Sequence, residues 1–142
     1  EYITQDEVRR VCRELGLRDW SSLTDPRVEP EEARLLLDLV NREGMDIDPE
    51  AFRAGLEVEL EHGTMFPDAN VTNNHPVLTG LIVLAHLKES LDYYQLLEVA
   101  ELEGDLLKAL VRGDADKAKS YYTRLARARI ALREAELARL EG

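Results

Sequence analysis

The sequence predicts an all-α fold: a compact helical bundle of about six helices with a long C-terminal helix. Three observations carry this. Apolar residues recur at helical spacing in almost every segment, as in Val8, Val11, Cys12 and Leu15. Helix-start signals recur, with proline among acids at Glu29-Pro30-Glu31-Glu32 and Asp48-Pro49-Glu50. No segment alternates as a strand should, and no internal repeat is visible.

The elements follow in order. Thr4-Gln5-Asp6-Glu7 reads as a capping box that opens a first helix, which stops at Gly16. Residues 17–28 form a connector holding Pro26 and Trp20, the single tryptophan, which is expected to plug the core edge. The second helix opens at Pro30, turns Leu35, Leu36, Leu39 and Val40 inward, and ends near Gly44. The third opens at Pro49 and ends at His62-Gly63. A polar loop, residues 64–75, leads to a helix opening at His75-Pro76. That helix is apolar nearly all round, from Val77 to Leu87, which predicts a central position. Ser90-Leu91-Asp92 is a break, and a further helix runs from Asp92 to Val111. Gly113-Asp114 then starts the last helix, Ala115 to Glu141, about 40 Å long at about 1.5 Å per residue. Its stripe of Ala118, Tyr121, Tyr122, Leu125, Ala128, Leu132 and Ala135 is thin and rich in alanine.

A chain of 142 residues suits a single domain, 1–142, with one apolar core. The net charge of -11 repels phosphate backbones and anionic lipid, so neither nucleic acid nor a membrane is an expected partner. No apolar run reaches the length of a membrane span, and the N-terminus lacks the pattern of a signal peptide. The one cysteine, Cys12, reads as core filling and fits a reducing compartment. A cytoplasmic protein is therefore expected.

The chemistry-bearing residues concentrate in two places. Glu59-Leu60-Glu61-His62 and His86-Leu87-Lys88-Glu89 each set a carboxylate and an imidazole three residues apart. At about 100° per residue, Glu59 lies about 20° from Phe52, well inside the apolar face, with His62 at its edge. His86 and Glu89 share a stripe with Leu78, Ile82 and Tyr93. Polar groups on such faces need hydrogen bonds, each other or a cation. If the two helices pack antiparallel, Glu59, His62, His86 and Glu89 supply two imidazoles and two carboxylates. That set suits Zn, Fe or Mn, with Tyr93 and Asp92 as supporting hydrogen-bond partners. A hydrogen-bonded Glu/His pair that merely fixes helix register is the competing expectation.

Other motifs are weaker. Asp68-Ala69-Asn70 resembles the opening of a calcium loop but lacks its glycine and terminal glutamate. No serine or threonine falls in a known nucleophile motif, so nucleophilic catalysis is not expected. Arg124, Arg127, Arg129 and Arg133 alternate with Glu134 and Glu136 as a mixed solvated surface.

The stretch Gly55 to Gly63, with Asn70-Val71-Thr72, Pro76, Gly80, Ala85-His86-Leu87, Glu89 and Asp92-Tyr93-Tyr94, resembles the bacterial and phage domain-of-unknown-function family 5661. It departs from that pattern at His75, Leu81 and Leu91, where the family has Asp, Lys and Pro. The resemblance covers residues 52–96. It implies that both His-containing segments share one core, about 48–98, with helical flanks at 1–47 and 99–142. The family has no established activity.

Two functional expectations result. One is a divalent transition-metal site at Glu59, His62, His86 and Glu89. The other is a non-enzymatic assembly module, virion-associated if phage-encoded. It would be a homo-oligomer, or bind a protein partner, through residues 115–142, because a long isolated helix needs packing.

Overall fold

Three helices begin on a proline, and those prolines set where the chain turns. The computed structural model describes residues 2–142. Among them run α1 (Gln5–Leu15), α2 (Pro30–Val40), α3 (Pro49–Met65), α4 (Pro76–Glu89), α5 (Tyr93–Arg112) and α6 (Ala115–Glu141), with no strand. The all-α class, the six helices and the long last helix agree with the sequence. The chain divides into two compact units, the first ending at Glu89 and the second spanning Ser90–Gly142.

In the first unit, α2 packs on α3 and α4, α3 packs on α4, and α1 touches α4. The core holds Val8, Trp20, Leu36, Phe52, Leu56, Leu60 and Val83. Thr4 Oγ1 accepts from Glu7 N at 3.1 Å, as the start signal predicts. The Glu7 carboxylate, however, accepts from Arg10 at 2.6 Å and 2.9 Å. Gly16 closes α1 with φ of 72°, a left-handed conformation that costs glycine little.

Trp20 sits deeper than the sequence suggests. It is fully buried, and its Nε1 donates to Glu32 Oε2 at 2.9 Å. Glu32 Oε1 also accepts from Arg18 Nη2 at 2.7 Å and from Glu29 N at 3.0 Å. A carboxylate with this many donors can point inward from the first turn of α2. The inward arc of α2 accordingly shifts to Ala33, Leu36, Leu37 and Val40, and Leu39 is exposed. α2 stops at Val40, before Gly44, because the Asn41 side chain makes two bonds to the Met45 backbone. α3 runs past Gly63 to Met65.

The second unit is a helical hairpin. Arg139 Nη2 donates to Asp92 Oδ1 at 3.1 Å, and Arg129 Nη2 to Glu103 Oε1 at 3.5 Å, which sets α5 and α6 antiparallel. Gly113 makes the turn with φ of 70°. The seam is narrow: Leu102 and Ala109 from α5 bury against Ala118, Leu125 and Leu132 from α6. Tyr122, expected in that stripe, is exposed.

Candidate functional site

The approach of the 66–75 loop to α3 begins at Gly63. A Cβ placed there would overlap Asn74 Oδ1 and would lie 2.8 Å from Asn70 Cγ. Glycine is what lets the two amide side chains lie against the helix. Asn70 Oδ1 accepts from Asn74 N at 3.2 Å, and Asn74 Nδ2 donates to Trp20 O at 3.2 Å. Asn73 and Asn74 both hold positive φ, a conformation asparagine tolerates better than most residues. The loop is thus tied to the core from both sides.

His75 follows and starts α4. Its Nδ1 accepts from Val77 N at 3.2 Å and Leu78 N at 3.3 Å, so the imidazole does the work of an N-cap. Burial pushes the His75 pKa below its ordinary value, against the opposing influence of Glu7.

α3 and α4 bring Glu59 and His86 together. His86 Nδ1 and Glu59 Oε1 are 2.9 Å apart, with side chains 28% and 13% exposed. Glu59 also lines a cleft of about 360 Å³. Its polar lining includes Glu59, His62, Asn70 and Thr72, and its apolar rim is Phe66, Val71 and Ile82, all three exposed. Much of this lining comes from the Gly55–Gly63 and Asn70-Val71-Thr72 motifs.

Of the remaining candidates, His62 shares this cleft and the others do not line it. His62 is on the cleft wall and exposed, and Glu89 is an exposed residue at the end of α4. Asp92 and Tyr93 belong to the second unit, where Asp92 takes Arg139 and the Tyr93 ring meets Tyr94 edge-on at 5.1 Å. Among the described residues no three His, Cys, Asp or Glu side chains are grouped to hold a metal ion. Sequence reasoning missed Gly63, Asn70 and Asn74 as builders of the cleft. The only signal was a glycine at the expected end of a helix followed by an asparagine-rich loop.

The fold and this site define an all-α domain in which a carboxylate–imidazole pair borders a cleft of small-molecule size. The chain belongs to the family described as protein of unknown function (DUF5661), whose model matches residues 8–103. The match is wider than the motif-bearing stretch and takes in α2 and most of α1, whereas α6 lies beyond it. No curated protein and no solved structure matches the chain. No helix among the described residues is long and apolar enough to cross a membrane.

Proposed function

We propose that this protein is a non-catalytic binding domain whose cleft takes a small cationic ligand with an apolar body. The observation that carries the reading is Glu59, a largely buried carboxylate held by His86 at the edge of an apolar-rimmed cleft. A carboxylate accepts several hydrogen bonds, so it can receive a ligand ammonium while keeping its imidazole partner. Phe66, Val71 and Ile82 offer the surface for the apolar body. The net charge of -11 draws cations and turns anions away.

Calorimetric titration with benzylamine, benzyl alcohol and benzoate tests this. Benzylamine binds with Kd on the order of 1 mM, a reasonable fragment affinity, and the other two bind more weakly or not at all. Glu59→Gln weakens the amine about tenfold. Equal binding of all three probes, or amine binding unchanged by Glu59→Gln, overturns the reading.

A second reading is a divalent transition metal, Zn, Mn or Fe, at the same pair. It is favoured by the imidazole–carboxylate contact and by His62 on the same cleft wall. Such an ion would complete its shell with water. Stoichiometric metal in purified protein, lost in His86→Ala, supports it. Absence of metal together with no thermal stabilisation by added Zn, Mn or Fe rules it out.

A further inference from the structure

The α5–α6 hairpin has two unlike faces. With Leu125 as zero and about 100° per residue, Tyr122, Ala126, Ile130, Leu137 and Leu140 fall between about 60° and 140° on α6. With Leu102 as zero, Leu96, Val99, Leu107 and Leu110 fall in the same arc on α5 by the same count. Leu102 and Leu125 both point into the seam, and the helices are antiparallel. Equal rotation along each chain therefore brings both arcs to one side of the hairpin. Leu96, Leu107, Leu110, Tyr122, Ile130, Leu137 and Leu140 on that side are 49–85% exposed. The opposite side carries Glu101, Asp105, Lys108, Arg112, Lys117 and Arg124.

We infer that this apolar face pairs with the same face of a second copy, α5 of each lying over α6 of the other, to close a four-helix bundle. Charge selects both the occupant and the arrangement. α5 carries four acidic against two basic residues, whereas α6 carries seven basic against four acidic. Within the apolar arc, α5 contributes Glu103 and α6 contributes Lys119 and Arg133. α5 over α6 sets opposite charges together, and α6 over α6 sets like charges together. The size is also right. A face about 30–40 Å long and about 20 Å wide offers roughly 600–800 Å² per copy, near the roughly 800 Å² of a stable interface.

A two-fold axis parallel to the helices keeps each residue at its own height. The turn from Arg112 to Ala115 fixes the heights within one hairpin, with Ala109 level with Ala118 and Leu102 level with Leu125. That register sets Leu107 of one copy opposite Tyr122 of the other, and Leu96 opposite Ile130. The inference is independent of the cleft, which lies in the other unit.

The test has two arms. Sedimentation of the unaltered full chain at tens of micromolar gives twice the monomer mass, and Leu110→Glu restores the monomer with unchanged helicity. For the arrangement, full-length Leu107→Cys and Tyr122→Cys are oxidised separately and as a mixture, with the unaltered chain and its buried Cys12 as blank. A covalent dimer forms in the mixture and not from either variant alone. A monomeric unaltered chain overturns the inference. Ready crosslinking of either variant with itself, or a non-covalent dimer without mixed crosslinks, overturns the arrangement.

Discussion

The side-chain amide of Asn74 lies against Gly63 so closely that one added methyl group would overlap its Oδ1. Asn74 is buried and tied to Trp20 O, so it has little room to retreat. The cleft wall therefore depends on the absence of a side chain at a position where helix propensity alone would favour alanine.

Gly63→Ala is expected to destabilise the protein by about 1–3 kcal/mol, the range for overpacking, despite the gain in helix propensity. Urea denaturation checks this. Ala54→Gly, at an exposed site on the same helix, costs only the propensity difference of about 1 kcal/mol.

Glu32 should set part of the acid limit of stability. Burial pushes its pKa up, but bonds from Arg18, Trp20 and Glu29 outweigh that and hold it below the ordinary 4.5. The stabilisation is complete above the unfolded value and is lost as pH falls through the lowered folded value. Glu32→Gln is expected to cost about 2–4 kcal/mol at pH 7 and to flatten the dependence below pH 4.5. Fluorescence of Trp20, the single tryptophan, follows the unfolding.

His75 gives a second pH window. Its folded pKa lies below the ordinary 6.5 because burial disfavours the charged ring. The unfolded chain therefore takes up the proton first. The cap's contribution is complete above pH 6.5, declines as pH drops, and is exhausted once pH passes the lowered folded value. His75→Asn, which caps without needing a deprotonated ring, is expected to remove this slope in melts run between pH 7.5 and 5.

The Glu59–His86 contact should register as coupling. Glu59→Ala and His86→Ala are each expected to cost about 1–2 kcal/mol, with an interaction energy of about 1 kcal/mol in the double-mutant cycle. Additive losses in urea titrations would mean that the pair contributes nothing by its contact.

The helix starts were open to reading because each signal is local. Pro30, Pro49 and Pro76 fit first turns, and Thr4, Asp48 and Asp114 accept from the backbone as caps do. The Glu59 direction was also legible, since its angle to Phe52 follows from helical period alone. Contacts made across loops were not. The same period put Leu39 inward, but Glu32 and its three donors turn α2 so that Leu37 is buried instead. Nothing local to Gly63 says that Asn70 and Asn74 will lie on it. Tyr122 has the spacing of a seam residue, but a two-helix hairpin buries one narrow line and leaves its flanks exposed.

The central claim is that the Glu59 cleft is where this protein binds its ligand, and chemical-shift mapping with isotope-labelled protein tests it most directly. On titration with benzylamine, the amides of Leu60, Gly63, Asn70 and Thr72 should move together, and those of α6 should stay still. Shifts scattered over the surface, or the same shifts in Glu59→Gln at the same concentrations, would contradict it.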